Sequence, residues 1–256
     1  MPLCRDPLVS LLNSFGFNAL RVPRSDYVPG SVLLRNGDGV VSLFGTIKDA
    51  FDVTNGVSLE VTEALAGEQF EGANSANYRI GVAAKLLSDW LPIATPSLAS
   101  GFGGAKRISY QIRKTRLLAT SVVSILRLLA VAEPTSVLLL LDRTRLFIIS
   151  EVLQTKELVL IAQSNTAATV AFDASLISGV AAAGIANCEL DASKAASGIL
   201  RFAFGDFHTI GFKAHELEIA DGEYRLSTTG NKPGLSHLAP TDKEYLPIVF
   251  DGEPLL

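Results

Sequence analysis

Residues 1–24, MPLCRDPLVSLLNSFGFNALRVPR, predict a short amphipathic helix followed by an extended segment. Asp6 can cap the helix, because its carboxylate accepts hydrogen bonds from the free N–H groups of the first turn. Pro7 suits the first helical position, and Gly16 can end the helix in a left-handed conformation. Phe17–Val22 is then expected to be extended, because a proline follows it. The apolar stripe of the helix consists of Leu8, Leu11, Leu12 and Phe15.

Two alternating patterns follow and predict β-hairpins. Ser31–Phe44 has apolar runs on both sides of Asn36-Gly37-Asp38-Gly39, a turn whose residues tolerate positive φ. Phe51–Val61 alternates apolar and polar residues about Asn55-Gly56, the favoured two-residue hairpin turn. Such alternation suits a half-buried strand and equally a strand that spans a membrane. The pattern leaves both possibilities open.

A basic strand is predicted at Lys106–Arg116, because Ile108, Tyr110 and Ile112 alternate along it. It is either a solvated outer strand whose charges protect a sheet edge or a contact for anionic lipid head groups. We favour the lipid contact, because apolar sequence lies on both sides. A sequence pI of about 5.4 argues against a nucleic-acid partner. The candidate lipid contacts are Lys106, Arg107, Arg113, Lys114 and Arg116.

The remaining elements alternate between helix and strand. Helices are predicted at Tyr78–Leu91, Leu117–Ala132 and Ser175–Ala186. Antiparallel strands are predicted at Val137–Leu141, Leu146–Ile149, Leu158–Ala162 and Ile199–Phe204, and the polar run Gln154-Thr155-Lys156 predicts a break between the second and the third. A last hairpin is predicted about Asp221-Gly222. Together the elements predict an α+β fold: a twisted, mostly antiparallel central sheet with packed helices, closed by a short C-terminal peptide.

The composition is apolar for a soluble chain. Of 256 residues, 48% are hydrophobic and 19% are charged, whereas about 25% charged residues is usual. The surplus must be buried or await another environment. No run of about 18 uncharged apolar residues predicts a transmembrane helix, and the start does not resemble a signal peptide. We therefore expect a cytoplasmic protein in which Cys4 and Cys188 are thiols.

The C-terminal part differs from the body in both order and charge. Ser227–Pro240 is rich in turn formers and predicts an exposed loop that proteases can cut. Tyr245–Phe250 is apolar and should dock on the body, either as ordinary completion of the fold or as a removable latch. Residues 216–256 carry eight acidic and three basic residues, a net charge of −5, which leaves +1 for residues 1–215.

Catalytic and metal-binding patterns are absent from the sequence. His208, His215 and His237 have no metal-like spacing, and neither a nucleophile elbow nor a phosphate-binding loop occurs. We therefore expect no enzyme, no metal and no cofactor.

Cys4-Arg5-Asp6-Pro7, followed by Gly16–Arg24, resembles the N-terminus of the bacterial gasdermins. The resemblance implies a gasdermin N-terminal-domain-like fold and a pore-forming protein that is not an enzyme. It further implies a monomer that a C-terminal peptide holds inactive in the cytoplasm. After proteolysis the chain would assemble into a homo-oligomer that permeabilises the inner membrane. This would cause cell death, including in defence against phage. The alternative is a soluble lipid- or partner-binding module without pore activity.

The resemblance also assigns roles along the chain. It implies a pore-forming domain at 1–226, a protease-sensitive linker at 227–240 and an autoinhibitory peptide at 241–256. Cys4 would carry a thioester-linked palmitoyl group. The activating protease would be caspase-like or trypsin-like, and the candidate cleavage residues are Lys232, Leu235 and Leu238. The candidate autoinhibitory contacts are Tyr245, Leu246, Ile248, Val249 and Phe250.

Overall fold

A computed structural model describes residues 12–35, 41–53, 58–65, 76–79, 102, 105–136, 145–164, 169–173, 178, 188–220 and 223–228. Most of these residues lie in strands, and the pairs between strands are antiparallel. The few described helices are short. The predicted α+β fold with a mostly antiparallel central sheet is therefore confirmed.

The strands are β1 (Asn18–Arg24), β2 (Ser31–Arg35), β3 (Val41–Thr46), β4 (Phe51–Val53), β5 (Thr62–Leu65), β6 (Ala76–Arg79), β7 (Arg107–Ala119), β8 (Ala132–Pro134), β9 (Arg145–Gln163), β10 (Cys188–Asp191), β11 (Ile199–Ala220) and β12 (Glu223–Thr228). The helices are α1 (Ile47–Ala50) and α2 (Val122–Leu129), and a 3-10 turn spans Ala195–Ser197.

Three long strands form the middle of the sheet. β9 pairs with β11 along one side, and β7 and β2 share its other side. β11 also pairs with β1, β10 and β12, β7 with β5 and β6, and β2 with β3. β4 and β8 form a separate two-stranded sheet. The long strands therefore hold most of the described chain in one continuous hydrogen-bonded unit.

The start of the described chain agrees with its sequence pattern. Leu12–Ser14 is helical, and Gly16 ends this turn with a φ of +78°, the left-handed conformation expected there. A hydrogen bond from the Phe17 N–H to the Leu12 carbonyl closes the turn at 2.9 Å. β1 then pairs with β11, so the extended segment after the helix is confirmed.

Of the predicted hairpins, two are confirmed and one is wrong. β2 and β3 pair directly, and β12 folds back on the end of β11. The hairpin expected within Phe51–Val61 does not form, because β4 pairs with Ala132–Pro134 instead. β4 thereby sets Phe51 against the Tyr224 ring, 5.7 Å away. The predicted second strand is not formed at Ser58–Val61, and the Asn55-Gly56 turn itself lies outside the described residues.

Two predicted helices differ from the structure. The helix expected over Leu117–Ala132 begins only at Val122, because β7 continues to Ala119 and Ser121 caps the helix by accepting from the Ser124 N–H at 3.0 Å. Tyr78 and Arg79 lie in β6, where a helix was predicted. The rest of Tyr78–Leu91, like Val137–Leu141 and most of Ser175–Ala186, falls outside the described residues.

β9 is one strand where two were predicted. Gln154 and Thr155 lie inside it and are buried, although their polarity had indicated a break. Gln154 Nε2 donates to Thr209 Oγ1 at 3.0 Å, so the buried amide is paired with a side chain of β11. Satisfied polar groups can remain inside a strand.

The apolar core lies on both faces of this sheet in three clusters. The first joins Leu12 and Phe17 to the N-terminal half of β7 and to β9 and β11. The second packs Ile125, Leu128 and Leu129 of α2 against Ile148 and Leu217. The third lies around Phe147 and Phe212. Since neighbouring residues of β9 serve different clusters, both faces of the middle strands are covered.

Candidate functional site

The basic strand β7 is an inner strand of the sheet. β9 pairs with one side of it, and β5 and β6 pair with parts of the other side. The interpretation as an edge-protecting outer strand is therefore wrong. Ile108, Tyr110 and Ile112 are buried in the first core cluster, as their alternation predicted. The charged residues of β7 therefore lie on a strand that has hydrogen-bonded neighbours on both sides.

The five candidate lipid contacts do not form one patch. Lys106 and Arg107 are exposed at the start of β7. Arg113, Lys114 and Arg116 lie farther along, with Arg107 and Arg113 about 20 Å apart at the usual rise per strand residue. Arg113 is exposed and donates to Gln111 Oε1 at 2.8 Å. The structure thus splits the cations into two groups.

Lys114 and Arg116 are each engaged by other strands. Arg116 donates to Gln154 Oε1 at 2.8 Å and lies 3.4 Å from Glu63 Oε1. Its guanidinium carbon is 3.9 Å from the centroid of the Phe207 ring, a cation–π contact. Lys114 Nζ lies 3.3 Å from Glu157 Oε2. Lipid contact by these two side chains would compete with interactions inside the protein.

Glu157 is the buried acid of this region, with a side chain only 2% exposed. Arg201 Nη2 donates to Glu157 Oε2 at 2.7 Å, and Arg201 Nε lies 2.7 Å from Oε1. Burial alone would raise the pKa of Glu157, but hydrogen bonds and charge from Arg201 and Lys114 hold that pKa below its usual range. The carboxylate therefore stays ionised and ties β9 to both of its long neighbours.

Sequence reasoning missed Glu157, Arg201 and Phe207. Glu157 follows the polar run Gln154-Thr155-Lys156, which predicted a connection between strands, and Arg201 belongs to no motif. Their partners lie 40 or more residues away in the chain. Only the pairing of β7, β9 and β11 brings them together, so no local signal marks them.

His215 is the second titratable group with a distinctive setting. It is half-buried, and its Nε2 lies 3.0 Å from Ser150 Oγ. Burial lowers the pKa of His215, and the nearby Glu151 carboxylate opposes that effect. In the described ranges no group of three or more His, Cys, Asp and Glu side chains could hold a metal ion. Nor does any helix of these ranges have the length and apolarity needed to cross a membrane.

The remaining candidate residues lie outside the described part of the chain. These are Cys4, the cleavage candidates Lys232, Leu235 and Leu238, and the autoinhibitory contacts Tyr245, Leu246, Ile248, Val249 and Phe250. Their roles stay predictions. Ser227 and Thr228, the first residues of the predicted linker, belong to β12.

Comparisons with known proteins agree with this fold. The model of the Bacterial Gasdermin Family matches residues 20–230. The gasdermin bGSDM of a Vitiosangium species is 22% identical over 248 residues, covering 93% of this chain and 90% of the relative. The bGSDM of Lysobacter enzymogenes is 21% identical over 234 residues, covering 88% and 85%. The solved structure of a bacterial gasdermin from Bradyrhizobium tropiciagri aligns with a TM-score of 0.68 at 19% identity, over 87% of this chain and 90% of that one.

Proposed function

Since this chain belongs to the Bacterial Gasdermin Family, we propose that it is an autoinhibited pore former that proteolysis activates. Membership supports, in general, a non-enzymatic, pore-forming role in cell death or defence. The match of the family model to residues 20–230 is the observation that carries the proposal, because it includes every described strand from β2 to β12. Defence against phage is part of the proposal.

The sheet offers strands of suitable length for a pore wall. β7, β9 and β11 have 13, 19 and 22 residues, and a strand that crosses a bilayer needs about 9 to 11. All backbone groups in lipid must be paired, so a pore requires several copies of the chain side by side. We propose a monomer in the cytoplasm before activation and a homo-oligomer in the inner membrane after it.

The proposed switch lies beyond the end of β12. The six residue pairs between β12 and β11 hold the chain in the sheet as far as Thr228. A cut at Lys232, Leu235 or Leu238 by a caspase-like or trypsin-like protease would leave every described strand intact. It would release residues 241–256, whose apolar hexamer, Tyr245–Phe250, we propose as the autoinhibitory contact.

Two further features would assist insertion. Lys106, just before β7, and Arg107 and Arg113 within it are exposed. They are the cations best placed to meet anionic lipid, because Lys114, although also exposed, is paired with Glu157. A palmitoyl group on Cys4 would add apolar surface. One acyl chain gives only marginal anchoring, so it would assist the pore without deciding where the protein resides.

The proposal is tested by dye release from anionic liposomes. Residues 233–238 are replaced with the recognition sequence of a site-specific protease in the full chain, and acylation of Cys4 is verified by mass. We expect release only after cutting. The matched control carries the same replacement with its scissile residue substituted, so that the protease is present but cannot cut. A cut, acylated chain that releases no dye would overturn the proposal and favour the binding-module alternative.

A further inference from the structure

The three long strands of the sheet are irregular at the same level. In β7 the irregular residue is Lys114, and its register neighbour in β9 is Lys156. These two are skipped, although the pairs on either side, Arg113 with Glu157 and Thr115 with Thr155, are regular. In β11, Phe204–Phe207 stand opposite the same Lys156, since Ala203 pairs with Glu157 and His208 with Thr155. We call Lys114, Lys156 and Phe204–Phe207 the hinge line.

Each shorter strand pairs with the long strands almost entirely on one side of the hinge line. β6 pairs with Arg107–Tyr110, before the line, and β10 pairs with Arg201–Phe204, reaching only the first residue of the line in β11. β5 pairs with Arg116–Ala119, and β1 and β12 pair with β11 from Thr209 onward. In the described residues the three long strands are therefore the hydrogen-bonded connection between two halves of the sheet.

Lys114 has an unusual backbone conformation. Its φ is +52°, and no other residue except glycine has a positive φ in the part of the chain that the structure describes. Side chains with a Cβ are strained in this left-handed region, and such strain persists only where the surroundings impose it. In a regular strand, Lys114 would point to the face opposite Arg113, the register partner of Glu157. The left-handed turn instead brings its Nζ to within 3.3 Å of Glu157.

Both faces of the hinge line are clamped. On one face, Glu157 joins Lys114 of β7 to Arg201 of β11. The Lys156 side chain lies on the opposite face, because consecutive strand residues alternate between faces. Its Nζ lies 4.8 Å from the centroid of the Phe207 ring. Arg116 of β7 lies on the same ring at 3.9 Å. Each clamp thus connects all three long strands.

One buried hydroxyl adds side-chain hydrogen bonds next to the irregular residues. Thr155 Oγ1 lies 2.7 Å from the Arg113 carbonyl oxygen, and it accepts from the Glu157 N–H at 3.1 Å. Because Thr155 is 1% exposed, water does not compete for these contacts. The irregular register is therefore supported by buried side-chain contacts.

From these observations we propose that the hinge line is a conformational switch: the two halves of the sheet are held in this irregular register in the intact chain, and Lys114 relaxes to an extended conformation when the protein is activated. This inference rests on the proposed function, since activation means the step that follows proteolysis. Relaxation relieves the left-handed strain and moves the Lys114 ammonium group away from Glu157.

The test varies backbone preference at position 114 while keeping charge constant. Lys114→Gly favours the left-handed conformation and Lys114→Val strongly disfavours it, yet both remove the same ammonium group. Each is made in the full chain with the cleavable linker, and dye release from anionic liposomes is timed after cutting. We expect the valine variant to release dye faster than the glycine variant by roughly threefold to tenfold. In the intact chains, the glycine variant should have the higher midpoint of chemical unfolding.

Each other outcome has a definite meaning. If wild type releases dye after cutting but the two variants release it at equal rates, or glycine faster, the switch is overturned and the pore-forming function stands. A cut wild-type chain that releases nothing overturns the proposed function, and the switch with it. If the valine variant does not fold, Lys114→Asn and Lys114→Ala replace the pair, because asparagine tolerates the left-handed region and alanine does not. Faster release by alanine is then the expected result, and equal rates overturn the switch.

Discussion

At the scale of single residues, Glu157 makes the fold sensitive to acid. Its folded pKa is held below the usual value by Arg201 and Lys114 despite burial, so the ionised form stabilises the fold at neutral pH. This contribution is present above the unfolded pKa of about 4.3 and is lost as the pH falls through the lower folded value. Glu157→Gln should lower the free energy of unfolding at pH 7 and weaken its dependence on pH below about 4.5.

Urea unfolding of wild type and Glu157→Gln at pH 7 and pH 3.5 measures this. The matched control is Glu151→Gln, which removes a partly exposed acid from the same strand, where it pairs with Lys213 at 2.7 Å. An acid response that is unchanged in Glu157→Gln would mean that the ion pairs across the hinge line do not stabilise the fold.

His215 should affect the stability of the fold at a higher pH than Glu157 does. Burial lowers its folded pKa below the ordinary value of about 6.5, with Glu151 opposing. The unfolded chain therefore binds the proton more readily, and stability is lost as the pH falls from about 6.5 toward the folded pKa. His215→Gln, whose amide can still reach Ser150 Oγ, should be less destabilised than wild type between pH 7 and pH 5. Urea unfolding of both proteins between pH 7 and pH 5 tests this. Equal losses of stability in the two would contradict it.

At the scale of elements, α2 is held by one face. Ile125, Leu128 and Leu129 are buried in the second cluster, whereas Val123 is 55% exposed. Leu129→Ala should destabilise the fold by about 2–5 kcal/mol, because it leaves a cavity where the helix meets the sheet. Val123→Ala, the control, should change stability by less than about 0.5 kcal/mol. Thermal unfolding of both variants measures this difference. Similar losses of stability in the two would mean that α2 does not pack as described.

Elements whose partners are near in sequence were predictable. The β2–β3 pair and the β11–β12 pair depend on turn residues and alternation within about 15 residues, and both formed as expected. β4 was not predictable, because its partner, Ala132–Pro134, is some 80 residues away. The helical spacing in Leu117–Ala132 was real from Val122 onward, but apolar spacing alone cannot show where β7 ends.

The candidate site was predictable in the same limited way. Alternation located the basic strand and its buried side, and composition located its charges. Whether a cation is exposed or engaged depends on β9 and β11, so the contacts of Lys114 with Glu157 and of Arg116 with Phe207 had no local signature. The left-handed conformation of Lys114 was equally hidden, since lysine has no preference that would indicate it.

At the scale of the whole molecule, two properties of the C-terminal peptide could hold the chain inactive. Residues 241–256 carry four acids and one base, so their removal raises the formal net charge from −4 to −1. They also contain the apolar hexamer Tyr245–Phe250. A less negative body should bind anionic membranes better, but the effect of a few charges is screened within about 10 Å at 0.1 M salt. Release of the proposed apolar contact between Tyr245–Phe250 and the body would not be screened in this way.

We therefore expect the apolar contact to dominate. The decisive variant keeps the chain intact and replaces Asp242, Glu244, Asp251 and Glu253 with their amides, which brings the formal net charge to 0. Its binding to anionic vesicles, measured by co-sedimentation at 50 and 300 mM salt, should remain close to that of the intact wild type. The cut chain should bind more tightly at both salt concentrations. If the neutralised intact chain bound as tightly as the cut chain, charge alone would explain the inactive state, and the proposed role of Tyr245–Phe250 as a latch would be wrong.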